Sequence, residues 1–297
     1  MIISVIVPTM NRAWEVINCV NSILESTFDD FEIIVVDNGS SDDTVSRLNQ
    51  SFGNNSKVQI IQSKTNLGAG WWRNLGAKNA NWKYLLFVDS DNIIDHDMIK
   101  YLWEFFEKTA DCGMVWPIMY FKDKPDMIWV YFADINMWSS QAMYKWWGEI
   151  DQWQYKEVEQ TWHLPNCFMV KKDDFEKIWW FDEKYIVMFE EADLAEKLKK
   201  LDKKIFTYTK AKTYHDVPVP NSEGIDRSFF RDERRAFLTA RNRVYFMRKN
   251  AGIKQKFVFF LIFNPLIMLY YQFQLLRKWE FGKAWNYLKW NILWFFM

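Results

Sequence analysis

The residues with the most chemical potential in this chain are acids held close together. "LLFVDSDN" at 85–92 ends an apolar run in Asp89 and Asp91, with Ser90 between them. In an extended chain residues i and i+2 project to the same side, so both carboxylates would face one point just past a strand end. Like charges held there repel unless a cation lies between them. Hard oxygen donors suit Mg²⁺ or Mn²⁺, whose shell is completed by water and substrate phosphates. Such a pair also arises as a solvated turn or a helix cap; its place after a buried strand makes it a site candidate.

A second acidic group, Glu190, Glu191 and Asp193 in "FEEADLAEKL", opens a helical segment. Acids in a first helical turn oppose the helix dipole, which is reason enough for them structurally. Yet a carboxylate crowded by like charges has a raised pKa and can act as general base toward a hydroxyl. His215, in "TYHDVP" at the end of a later strand, is one of only three histidines and is placed to return to a metal as a third ligand. In "VVDNGSSDDT", Asn38-Gly39 makes a turn and Ser41 or Asp42 suits a helix cap. Capping does not account for Asp37, which sits where an acid can accept hydrogen bonds from a nucleoside base or ribose. In "NLGAGWWRNLGAKNA", Gly68-Ala69-Gly70 resembles the opening of a dinucleotide fingerprint, but Arg73 stands where the third glycine belongs and the loop follows the third strand. A glycine turn leading into a helix that presents Arg73 near its N-terminus suits a diphosphate instead.

Positioning these groups requires a regular scaffold. "IISVIVPT", "FEIIVVDN", "KVQIIQS" and "KYLLFVDSD" are apolar runs expected of strands buried on both faces. Helical segments are predicted at 13–25, 42–50, 70–80 and 95–108. The alternation predicts an α/β fold with a doubly wound, mostly parallel central sheet, whose ligands bind beyond the strands' carboxyl ends. Residues 111–170 are aromatic and poorly periodic, and read as a less regular half covering the sheet edge. A helix at "FEEADLAEKLKKLDK" follows, with Leu194, Leu198 and Leu201 on one face, then a strand at "KIFTYTKAKTYHD".

Composition narrows the function classes. With 297 residues, 49% of them hydrophobic, the chain can bury a large core. Lys plus Arg and Asp plus Glu both number 38, and a formal charge of zero argues against a general nucleic-acid binder. Three well-separated cysteines without a CxxC pair suggest neither a disulfide framework nor a thiolate zinc site, and fit a reducing compartment. "MIISVIVPT" lacks a basic n-region and reads as a first strand rather than a leader. The 18 Trp and 25 Phe suit sugar faces and membrane interfaces as well as core packing. Residues 227–249 carry eight Lys or Arg against two acids, and 257–276 are uncharged and apolar, although Asn264-Pro265 would break a helix there. With the Trp-rich "KAWNYLKWNILWFFM", this predicts helices in or on a membrane interface, the alternative being packing on the core. The division expected is 1–220 for the catalytic unit, split at 110, and 221–297 for the basic and apolar helices.

In this order, "ISVIVPTMNR", "EIIVVDNGSSDDT", "NLGAGWWRNLGAKNA", "YLLFVDSDN", "FDEKYIVMFEEADLAEKL" and "YHD" resemble the inverting nucleotide-sugar glycosyltransferases of family 2, fold type A, rhamnosyltransferase-like branch, over about residues 2–216. The resemblance implies metal-dependent transfer from a nucleoside-diphosphate sugar to a hydroxyl of a glycan or lipid-linked saccharide. It implies Pro8, Thr9 and Arg12 at the nucleotide, Asp37 at the base, and Asn66, Gly68, Arg73 and Asn74 around the diphosphate. Asp89, Ser90 and Asp91 would meet metal and donor, with His215 as a further metal ligand. The family's Glu-Asp-x-Asp reads Glu190-Glu191-Ala192-Asp193 here, so the base is Glu190 or Glu191. Pro165-Asn166-Cys167 also departs from the family's glycine before a small residue and Met. With the C-terminal segments, the expected location is the cytoplasmic face of the cell membrane, peripheral or monotopic. Rival readings are a non-catalytic nucleotide-sugar or glycan-binding protein and a sugar nucleotidyltransferase; the latter needs a glycine-rich loop after the first strand, where "PTMNR" has none.

Overall fold

The computed structural model describes residues 1–66, 68–163, 165–220, 230 and 232–296, with 290 and 292–296 described by backbone alone. The expected junction at 220–221 and residues 227–229 and 231 of the basic run lie outside the described residues. The first half alternates as its sequence predicts: β1 (Ile3–Thr9), α1 (Ala13–Leu24), β2 (Phe31–Asp37), α2 (Thr44–Phe52), β3 (Val58–Gln62), α3 (Ala69–Asn79), β4 (Tyr84–Val88), the short β5 (Asn92–Ile94) and α4 (Met98–Lys108). The second half holds β6 (Cys112–Phe121), β7 (Lys124–Val130), β8 (Phe132–Asn136), β9 (Gln141–Lys145), β10 (Val158–Thr161), β11 (Cys167–Lys171), α5 (Lys172–Lys177), α6 (Glu190–Lys199) and β12 (Lys204–His215). Then come α7 (Glu233–Asn250), α8 (Ile253–Val258), α9 (Asn264–Arg277) and α10 (Phe281–Phe296).

The main sheet runs β10-β12-β6-β11-β4-β1-β2-β3, and along it only β10 and β11 oppose the other strands. β1 and β4 are buried along their whole length, which is why their sequences lack the alternation of a one-sided strand. The three cysteines are buried thiols.

Three expectations are corrected here. Residues 111–170 do not merely cover an edge: β6 is wholly buried in the sheet interior between β11 and β12. Its aromatics are core, and Pro117, which has no N–H for a ladder, falls where the register against β12 shifts. Leu201 is outside α6 and exposed, because the helix ends at Lys199. Asn264-Pro265 does not break its helix. A π-helical turn at Phe259–Phe263 carries the chain from α8 into α9, and Pro265 sits in the first turn of α9.

The described part of the basic run is not a free surface helix. α7 buries Leu238, Val244, Phe246 and Met247, and several of its polar side chains point inward. Lys249 Nζ donates to Asp182 at 2.6 Å and Asp193 at 2.8 Å. Arg243 Nη1 donates to the Tyr287 hydroxyl at 2.8 Å, tying α7 to α10. The helix from Ile253 to Arg277 differs: it is long and apolar enough to cross a membrane, and only 17% of its apolar window is buried.

Candidate functional site

The site forms where β1 and β4 end. Parallel pairing of β1 with β4 brings Pro8 and Thr9 beside the loop that carries Asp89, Ser90 and Asp91. That loop is a turn rather than extended chain, closed by the Asn92 N–H donating to the Asp89 carbonyl at 3.0 Å. The two carboxylates therefore reach one cavity by way of a turn rather than an extended chain, and each has its own partner. Arg73 Nη2 donates to Asp89 at 2.8 Å, and Arg12 Nη1 donates to Asp91 at 2.5 Å. β12 pairs antiparallel with β5 so that His215 faces Asn92, which sets His215 Nε2 3.4 Å from Asp91 Oδ1.

Arg73 collects the remaining acids. From α3 it reaches Glu190 at 3.2 Å and Glu191 at 3.1 Å on α6, while its other contact holds Asp89. The guanidinium is almost fully buried, and although burial opposes its charge, Asp89, Glu191 and Glu190 raise its pKa. Burial raises Glu190 and Glu191 alike. For Glu191, burial and then the Glu190 charge push the pKa up to about 7 against the pull of Arg73. At Asp91 burial is outweighed by His215 and Arg12, which hold the pKa at about 2. The two acid groups are thus set apart electrically: Asp91 stays ionised near neutrality while Glu191 is poised to exchange a proton.

Asp89, Arg73, Glu190 and Glu191 line a cavity of about 420 Å³, together with Pro8, Thr9, Arg12, Ser90, Asp91 and Arg235; His215 stands behind Asp91 and is not on its wall. Thr9 Oγ1, Arg73 Nε, Asp91 Oδ1 and Glu190 Oε2 are buried without a hydrogen-bond partner among the described residues. Natural proteins rarely leave such atoms unpaired unless a ligand, an ion or ordered water completes them. Asn66 and Gly68 border an adjoining cavity of about 210 Å³.

Asp37 and Asn74 are not on either wall. Asp37 is fully buried and accepts from the N–H groups of Gly39 at 3.2 Å and Ser40 at 3.1 Å, and from the Ser40 hydroxyl, so it fastens its own turn. Asn74 donates to the Phe181 carbonyl and to Glu183 and accepts from the Phe181 N–H, which joins α3 to the segment before α6. Asp42, not Ser41, meets the start of α2, accepting from the Thr44 N–H at 3.0 Å.

The chain just before Glu190 is held in an uncommon shape. Ile186, Met188 and Phe189 have φ of 62°, 69° and 70°, a left-handed region that side chains disfavour. Two contacts enforce it. Ala69 N–H donates to the Ile186 carbonyl at 2.5 Å, beside Gly68, whose φ is +99° and where a Cβ would stand 2.7 Å from that oxygen. From α7, Asn242 Nδ2 donates to the carbonyls of Tyr185, Val187 and Met188 at 2.7, 2.7 and 3.0 Å. Sequence reading missed Asn242 and Arg235, since a basic helix gives no sign of which residues turn inward. Met10 and Trp72, also on the cavity wall, stood beside recognised motifs but carried no chemical signal.

Arg73→Met leaves three carboxylates without their cation, one of them, Glu190, buried. It should cost ~3–5 kcal/mol in urea unfolding, with Arg73→Lys between it and the parent because a point charge cannot serve three acids. Equal unfolding midpoints for Arg73→Met and the parent would contradict the role given to Arg73.

Comparison with known proteins agrees with the fold. Residues 4–179 match the family described as glycosyl transferase family 2. Glycosyltransferase GlyG of Streptococcus pneumoniae is 34% identical over 111 residues, 37% of each chain, and chondroitin synthase of Escherichia coli is 29% identical over 115 residues, 39% of this chain and 17% of that one. The matched segments thus span well under half of these curated relatives. Among solved structures, GalNAc-T7 with UDP, GalNAc and Mn²⁺ has a TM-score of 0.63 at 12% identity, covering 81% of this chain and 48% of that one. TarS of S. aureus with UDP-GlcNAc has 0.57 at 20%, covering 87% and 69%. The mannosyltransferase PcManGT of Pyrobaculum calidifontis with GDP-Man and Mn²⁺ has 0.60 at 15%, covering 89% and 71%. The family match spans more than half of the chain, and the protein belongs to glycosyltransferase family 2.

Proposed function

We propose that the protein is a metal-dependent, inverting glycosyltransferase that moves a sugar from a nucleoside diphosphate to a hydroxyl of a glycan or lipid-linked saccharide. The observation that carries this reading is Glu191: a carboxylate with its pKa raised to about 7, on the wall of the same cavity as Asp89 and Asp91. The relatives' UDP and GDP ligands support the donor class. The rhamnosyltransferase-like branch is the narrower reading, resting on the motifs over 2–216.

Among the described residues no three His, Cys, Asp or Glu side chains form a metal cluster by themselves. The residues nevertheless fit an open site, because Asp91 Oδ1 is buried and unpaired beside His215 Nε2. Asp91 and His215, with Asp89, would hold Mg²⁺ or Mn²⁺. When bound, such an ion neutralises charge developing on the leaving diphosphate. Arg12 adds a cation at the nucleotide end of the cavity, by β1. Glu191 takes the proton of the acceptor hydroxyl as its oxygen attacks the anomeric carbon, and the bond to the diphosphate breaks on the opposite face. Glu190 is the less exposed of the pair, and Arg73 keeps its charge in balance.

The character of the C-terminal helices supports a membrane location for the enzyme. Residues 257–276 carry no charged side chain, and Lys254, Lys256, Arg277 and Lys278 flank them. Phe257, Leu261, Leu269 and Phe273 are each more than half exposed, as is Trp279 beyond the helix end. An apolar face with basic and Trp residues at its rim suits an anionic lipid interface, and we place it on the cytoplasmic side.

Three measurements check this reading. Across nucleotide sugars, Asp91→Ala should lose metal-dependent donor hydrolysis by about 10²-fold or more. Because Glu191 acts only when ionised, transfer should rise with pH through about 7 and level off above it, and Glu191→Gln should be slower by about 10²-fold or more. Parent-like transfer by Glu191→Gln would sink the assignment. The full chain should float with phosphatidylglycerol vesicles, and replacing Phe257, Leu261, Leu269 and Phe273 with serine should leave it behind. A parent chain that never floats would refute the membrane role.

A further inference from the structure

A second cavity of about 230 Å³ also borders Glu191. The β8–β9 hairpin forms one wall through Ala142 and Tyr144, and the strained segment before α6 forms another through Met188 and Phe189. Glu191 and Met188 border both this cavity and the donor cavity. A group seated here is therefore next to the carboxylate that also borders the donor cavity.

Two polar atoms of this cavity's residues have no hydrogen-bond partner among the described residues: Ser140 Oγ and His163 Nδ1, both buried. Ser140 is only 4% exposed, and the hairpin turn fixes it at φ 58°, with its N–H donating to the Asn136 carbonyl at 2.7 Å. A buried hydroxyl and a buried imidazole nitrogen each lose hydration on folding, and a ligand that hydrogen-bonds them restores it. Burial, aided by the Lys199 charge, lowers the His163 pKa to about 3, so the ring is neutral. No lysine or arginine lines the cavity, and its one charged side chain is Glu191. An anionic ligand would be repelled. Tyr144, with a half-exposed ring, Met188 and Phe189 present apolar surface of the kind that meets the C–H face of a pyranose. The volume is below the ~300 Å³ at which pockets for drug-sized ligands begin, so it admits one ring rather than an oligosaccharide.

We propose that this cavity binds one uncharged sugar ring of the acceptor, with Ser140 and His163 hydrogen-bonding its hydroxyls and Glu191 facing the hydroxyl that reacts. The inference rests on the glycosyl-transfer reading for its chemistry, but the binding it claims is measurable without turnover. Saturation-transfer NMR on the full chain, with the methyl pyranosides of glucose, galactose, mannose, N-acetylglucosamine and rhamnose as probes, tests it directly. At least one neutral glycoside should bind, and the methyl glycoside of glucuronic acid should not. Ser140→Ala and His163→Ala should each weaken the bound glycoside by about threefold to tenfold, the loss of one neutral hydrogen bond, with urea midpoints reporting that both variants fold. Ala142→Trp, which fills the mouth from the hairpin, should abolish binding and stands in if either variant unfolds. The proposal is overturned if no neutral glycoside binds, if the glucuronide binds as well as the neutral probes, or if binding survives in the folded variants. Binding through Ser140 and His163 by a chain that hydrolyses no nucleotide sugar would instead overturn the donor reading and leave this cavity's assignment standing.

Discussion

One buried guanidinium holds the site together. Arg73 joins Asp89, at the end of a central strand, to Glu190 and Glu191, about a hundred residues later at the start of α6. Three carboxylates this close would repel one another and unfold the loops that carry them; a fork with several donors satisfies all three at once. The acidic excess that remains suits a cation arriving with a diphosphate. Structural and catalytic requirements therefore meet in one side chain, and the charge balance that stabilises the folded chain also prepares the cavity for its ligand.

The position of Glu191 depends on a second constraint, the positive φ of Ile186, Met188 and Phe189 just before it. Such a backbone persists only when its surroundings determine it. Here Gly68 allows the close approach from one side, and Asn242 pins three carbonyls from the other. Lys249 adds ion pairs to Asp182 and Asp193, so α7 braces the base's loop as well as leading toward the apolar helices. Asp193, read from sequence as part of an acid cluster, is thereby a structural anchor. The apolar C-terminal helices and the segment before Glu190 thus share a support in α7.

Legibility from sequence followed the range of the interactions. The strands β1 to β4 were readable because burial on both faces leaves continuous apolar runs, and the acids at their ends were readable because a core has no use for them. β6 was not, since its aromatic run has the composition of a surface or a core equally, and only its neighbours decide. Arg73 was identified as a site residue but given a diphosphate partner; a guanidinium serves carboxylate and phosphate alike, and the choice depends on α6 arriving beside it. Asp37 and Asn74 were given ligands when their own chain claims their hydrogen bonds. Asn242 left no local signal, because its partners lie more than fifty residues away.

The central claim is that Glu191 activates an acceptor hydroxyl on the face of the sugar opposite the departing diphosphate. The anomeric configuration of the product tests it most directly. Proton NMR of a disaccharide formed from an α-linked nucleotide sugar should show the large anomeric coupling of a β-linked gluco- or galacto-configured product. An α-linked product, with configuration retained, would contradict the account.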